Sequence, residues 1–166
     1  MQNRDAANIM PGVGNMSVVN EVSSAEVQAL VFSPAEQQEE KQYRILVVED
    51  DISLARIEAN FLTAHNYTVM IVGNGELAIS TLNDFVPDLV VLDLELSGLL
   101  TGWDVLHMLR KNTRVPVILA TSLQPDVRKY CRTHGETKQT LDHLPKPYQM
   151  QALLKRIKRM LTIAPQ

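Results

Sequence analysis

The chain is predicted to fold as an α/β protein, a doubly wound sheet of five parallel strands with helices on both faces. Three observations lead there. From Tyr43 onward, strand-like apolar runs alternate with helical patterns five times. The runs are apolar throughout rather than at every second residue, as expected of strands covered on both faces. Five strand-helix units are too few to close an eight-stranded barrel, so the sheet stays open. In such a sheet the ligand site belongs at the C-terminal ends of the strands, near the point where strand order reverses.

Each element has its own signal. Ile45 to Val48, within YRILVVEDD, reads as the first strand. Ser53 to Ala64 reads as a helix, because Leu54, Ile57, Phe61 and Leu62 are spaced for one apolar face. Tyr67 to Val72 is the second strand. Asn74 and Gly75 turn the chain into a helix carrying Leu77, Ala78 and Leu82, and Pro87-Asp88 ends it. Leu89 to Leu92 is the third strand, SGLLTG a loop, and Trp103 to Arg110 a helix. Val115 to Ala120 is the fourth strand, with Pro116 tolerated near its start. Pro125 to Thr133 is helical, Leu141 to Leu144 the fifth strand, and Gln149 to Leu161 the last helix. That helix turns Leu153, Leu154, Ile157 and Leu161 inward and Lys155, Arg156, Lys158 and Arg159 mostly outward.

Residues 1–42 read differently. PGVGN, a serine pair and the polar run EQQEEKQ suggest a flexible or partly helical extension before a domain spanning 43–163. Ser33-Pro34-Ala35-Glu36 and Ser23 with Glu26 have the spacing of helix caps. The formal charge of −3 offers no global attraction to nucleic acid or acidic lipid, so neither is expected as a direct partner. Cys131 is the single cysteine and cannot form an internal disulfide; a cytoplasmic setting is expected. No apolar run approaches the roughly 18 residues of a membrane span, and no signal peptide is recognisable. Only TIAPQ follows Leu161, so no DNA-binding output domain is expected in this chain.

The chemistry concentrates where strands end. Glu49-Asp50-Asp51 closes the first strand and Asp93, in PDLVVLDLE, closes the third. Neighbouring parallel strands would gather these carboxylates at one edge, where mutual repulsion calls for a cation or a raised pKa. A hard divalent ion such as Mg²⁺ suits oxygen ligands, and such a cluster can handle a phosphoryl group. Glu49, Asp50 and Asp93 are the candidate metal site; Asp51 is better explained as the cap of the following helix. Thr121, after the fourth strand, has a hydroxyl able to donate to an anionic oxygen, although surface hydroxyls commonly end strands. Lys146, in HLPKPY, is either a point charge facing the carboxylates or a solvated surface lysine.

Taken in order, ILVVEDD, DLVVLDLEL, VILATS and LPKPY resemble the receiver domain of bacterial two-component response regulators, over about Tyr43 to Leu161. The resemblance implies a flavodoxin-like fold with strand order 2-1-3-4-5. It implies a phosphoprotein that is not an enzyme in the ordinary sense. Its Asp93 would take a phosphoryl group from a histidine kinase or histidine phosphotransfer protein. Asp50 and Asp93 would ligate Mg²⁺ directly, Glu49 through water, and Glu95 through its backbone carbonyl. Thr121 and Lys146 would contact the phosphoryl oxygens, and residue 143, an aromatic switch in the family, is His143 here. The loop LELSGLLTG is one residue longer than the family pattern, with Ser97 for its proline and Thr101 for its aspartate. The polar insert ETKQT follows Gly135, on the face that members use for partners and dimers, so a homodimer is one expectation. The downstream protein is not identifiable from sequence. A stand-alone phosphorylated receiver is the leading reading. The alternative is a non-phosphorylated receiver-like scaffold or interaction module. A Mg²⁺-dependent phosphatase ranks lower, for want of a general acid or substrate pocket.

Overall fold

The structure is a computed structural model and describes residues 41–123 and 126–163. The capped helices expected within the first 40 residues lie outside that part. Strands β1 (Arg44–Val48), β2 (Thr68–Val72), β3 (Leu89–Leu92), β4 (Val117–Thr121) and β5 (Leu141–Pro145) alternate with five helices. These are α1 (Ile52–Thr63), α2 (Gly75–Thr81), α3 (Gly102–Asn112), α4 (Val127–His134) and α5 (Met150–Ile163). All strand pairs are parallel, in the order β2-β1-β3-β4-β5. Strand order reverses at β1, between β2 and β3, as expected of the doubly wound class.

Alternation along β1 divides the core. Ile45 and Val47 face a cluster with Ala55 and Leu62 of α1 and Leu153, Ile157 and Met160 of α5. Leu46 and Val48 face the other, with Ala78 of α2 and Val105, Leu106 and Leu109 of α3. Side chains of period two thus bury both faces of a continuously apolar strand. Cys131 packs against the second cluster, in keeping with a packing role.

Capping chemistry sets the helix starts. Asp51 accepts from the amides of Ser53 and Leu54 and is the α1 N-cap. Asn74 caps α2 through the Leu77 amide. Thr101 and Asp104 form a reciprocal capping box at α3.

Some expectations need correction. Ile57 was expected on the inward face of α1 but is 55% exposed; the buried residues are Ala55, Glu58 and Leu62. Small Ala55 lets that face of the helix approach the sheet, and Leu54 and Phe61 flank it half-buried. Leu77 is likewise exposed, and Leu82 is the α2 C-cap rather than a helix residue. Pro116 precedes β4 instead of lying within it: it has no amide to give, and its carbonyl accepts from Val90 N. The segment after Gly135 is not a fully solvated insert. Glu136 is buried and accepts from Arg110 Nε at 2.5 Å, while the same guanidinium donates to the Val115 and Thr140 carbonyls. Sequence reasoning read Glu136 only as part of a polar insert, because its partner lies 26 residues away.

Candidate functional site

Strand register brings the acidic residues together. Val48 is paired with Leu92, so Glu49 and Asp93 are the next residues on adjacent strands. The Asp93 amide donates to the Val48 carbonyl at 3.0 Å and the Glu49 amide to the Val72 carbonyl at 3.0 Å. On the other side, Thr121 is paired with Pro145, and the Lys146 amide donates to the Thr121 carbonyl at 3.0 Å. Residues separated by nearly a hundred positions therefore meet at one sheet edge.

Glu49 is 3% exposed and Asp93 4% exposed, while Asp50 reaches outward. One carboxylate oxygen from each of the three lies within 4.8 Å of the others, and they are the one such cluster among the described residues. Lys146 Nζ donates to Glu49 Oε2 and Asp93 Oδ2, at 2.6 Å each. Asp93 Oδ1 accepts from the Glu95 amide at 2.9 Å, and Asp50 Oδ2 from the Ser97 amide at 3.0 Å. Burial lowers the Lys146 pKa, but its hydrogen bonds to Asp93 and Glu49 outweigh that and hold it above the usual lysine value. Burial pushes the Glu49 carboxyl up, opposed by Lys146. One ammonium against three carboxylates leaves an excess of negative charge on clustered hard oxygens, the donor set a divalent ion such as Mg²⁺ prefers.

Thr121 is fully buried; its hydroxyl donates to Glu95 Oε2 at 3.3 Å, and the Ser122 amide donates to the same oxygen at 3.1 Å. Glu95 thus enters the site through its amide and its side chain, a link between two loops that sequence spacing did not reveal. His143 is half-buried on β5, with its Nε2 buried and unpaired among the described residues. Burial, and then the Arg156 charge, lower its pKa.

The loop after Asp93 is held from α2. Glu76 Oε1 accepts from the amides of Leu99 at 2.7 Å and Leu100 at 3.2 Å. Gly98 has φ 118°, which suits glycine, and a side chain there would press on the Glu76 carboxylate.

Sequence reasoning also missed Glu58. It is 0% exposed on α1, accepts from the Tyr148 hydroxyl, and its Oε2 is buried without a partner among the described residues. Burial pushes its carboxyl up to about 7. A folded-state pKa above the unfolded value means that the fold retains a proton the unfolded chain releases. Stability is therefore full below the unfolded value near 4.5, falls as pH rises toward 7, and levels off above it. Urea midpoints should show Glu58→Gln gaining on the wild type between pH 5 and pH 8, by up to about 3 kcal/mol. Parallel pH profiles for the two proteins would refute this assignment.

Comparison with known proteins agrees with the fold. A family model for the response regulator receiver domain matches residues 45–158. The chain belongs to that family, a class of signalling proteins built around a phosphoacceptor and metal-binding acidic cluster. It is 33% identical over 118 residues to the DNA-binding response regulator MtrA of Mycobacterium tuberculosis (strain ATCC 25618 / H37Rv), covering 71% of this chain and 50% of that protein. It is 34% identical over 117 residues to the sensory transduction protein RegX3 of Mycolicibacterium smegmatis, covering 70% and 50%. The chain spans about half the length of these curated relatives. Among solved structures, the non-phosphorylated HemR receiver domain of Leptospira biflexa superposes with TM-score 0.65 at 27% identity, covering 75% of this chain and 98% of that one. The receiver domain of a LuxO-type repressor from Vibrio parahaemolyticus gives TM-score 0.63 at 29% identity, covering 73% and 91%. No described helix is long and apolar enough to cross a membrane.

Proposed function

We propose that this chain is a receiver that accepts a phosphoryl group on Asp93 from a phosphohistidine of a histidine kinase or phosphotransfer protein, and signals by protein contact. The observation that carries the reading is the Asp93 carboxylate itself, buried at a strand end between the Lys146 ammonium and the Glu95 amide. These donors orient the nucleophile, and each oxygen keeps a further lone pair. An Asp93 oxygen forms the bond to phosphorus as the bond from phosphorus to the donor imidazole nitrogen breaks. Asp50, Asp93 and Glu49 would hold Mg²⁺, with Glu95 as a further ligand through its carbonyl. When bound, the metal supplies positive charge for the phosphoryl oxygens. Lys146 neutralises the remainder. Thr121 and the Ser122 amide, now engaged by Glu95, are the donors available to the new oxygens. Movement of Thr121 would let His143 and the face formed by α4, β5 and α5 rearrange, a local charge event biasing a two-state surface. A domain division into residues 1–42 and 43–163 accompanies this proposal, as does a cytoplasmic setting.

Incubation with a small acyl phosphate and Mg²⁺ should add one phosphoryl group by intact mass, and a chelator should abolish it. No gain in the presence of Mg²⁺ would leave the receiver-like scaffold as the better reading. Mg²⁺ binding to the unphosphorylated protein, followed by amide shifts, should saturate in the wild type and weaken at least tenfold or so in Asp50→Ala, which loses an oxygen ligand. Equal affinities would remove Asp50 from the metal site.

A further inference from the structure

The Lys146 ammonium sits on Asp93 because the turn carrying it is held at both ends. One end is the ladder contact from Lys146 N to the Thr121 carbonyl. The other is Tyr148, two residues on, whose hydroxyl reaches across to Glu58 on α1. Glu58 lies between Ala55 and Leu62 on the buried face of that helix, where an apolar side chain would bury at no polar cost. Among the described residues its Oε2 finds no partner and Tyr148 is its sole hydrogen-bond donor, so the chain bears the cost of a buried acid. The charges that act on the Glu58 carboxyl through space are those of the site: Glu49 at the end of β1, Lys146, and Asp93 at the end of β3. The acid lies on the helix that follows Glu49 and Asp50, and its Tyr148 contact links that helix to the turn carrying Lys146.

We propose that Glu58 is a positioning residue for phosphoryl acceptance: through the Tyr148 hydroxyl it fixes the turn that holds Lys146 on Asp93. The inference rests on Asp93 being the acceptor. The contact ties α1, which begins beside Asp50, to the segment that supplies the neutralising cation, so both halves of the charge arrangement share one brace. Burial pushes the Glu58 carboxyl up to about 7, so near neutral pH the brace carries only part of a negative charge in the neighbourhood of Glu49 and Asp93.

The test compares wild type, Tyr148→Phe, Glu58→Leu, Glu58→Gln and Asp93→Asn in Mg²⁺ with a small acyl phosphate. Initial rates are read by intact mass, and folding is checked by thermal melts. The Lys146 ε-methylene and ammonium signals are followed by NMR in metal-free protein. Tyr148→Phe and Glu58→Leu should slow incorporation about fivefold, the size expected for one hydrogen bond, and shift the Lys146 signals. Glu58→Gln keeps an acceptor for Tyr148 and should restore most of the rate and the wild-type Lys146 signals. Wild-type rates and unmoved Lys146 signals in both Tyr148→Phe and Glu58→Leu would overturn the proposal, as would a Glu58→Gln protein as slow as Glu58→Leu. Incorporation into Asp93→Asn would instead overturn the acceptor assignment, a separate failure.

Discussion

Asp93→Asn is expected to take up no phosphoryl group under conditions that label the wild type completely. The substitution keeps the size of the side chain but removes the anionic nucleophile, so the chemistry is lost while the fold remains. It also removes a like charge from a crowded cluster and leaves Lys146 paired with Glu49 at 2.6 Å. One fewer buried carboxylate should make the variant at least as stable as the wild type, because repulsion among clustered acids falls. Intact mass gives the first result and chemical denaturation the second. A variant labelled as fully as the wild type would move the acceptor elsewhere, and one that unfolds would leave the loss of labelling without mechanistic meaning.

Gly102→Ala should be the most damaging glycine-to-alanine change among the described residues. Gly102 opens α3, and a Cβ at this position would stand 2.1 Å from the Asp93 carbonyl oxygen and 2.6 Å from the Leu94 Cα. Both obstacles are backbone, so no side-chain rotation relieves them. In a free helix the change would gain about 1 kcal/mol from propensity. Here the overlap should cost about 3 kcal/mol or more, since overpacking forces the backbone to shift. The shift falls on Asp93, the proposed acceptor, so labelling should drop together with stability. Urea midpoints and initial labelling rates check both. A variant of wild-type stability would show that α3 can withdraw from β3 freely.

The position of the site was legible in the sequence because its signals are local. A strand buried on both faces must be apolar along its length, and a carboxylate cannot continue it, so Glu49 and Asp93 mark strand ends without reference to anything distant. Asp51 was legible as a cap for the same reason: its partners, Ser53 and Leu54, are two and three residues away. Five alternating units defined the fold class, and the order of four short motifs pointed to the family.

Contacts across the sheet were not legible in this way. Lys146 read equally well as a solvated lysine until parallel register placed it 2.6 Å from both Glu49 and Asp93. Periodicity placed the α1 apolar stripe through Ile57, yet packing turned Glu58 inward, because a helix presents the face that its neighbours can receive. Glu136 with Arg110, Glu76 with the loop after Asp93, and Glu58 with Tyr148 are acids whose partners lie 23 to 90 residues distant. A polar residue in a sequence window reads as surface by default, since burial without a partner is costly. The partner that makes burial tolerable is supplied by the fold, so local pattern sufficed for the strands, the caps and the acidic edge, and long-range pairing settled which charges neutralise which.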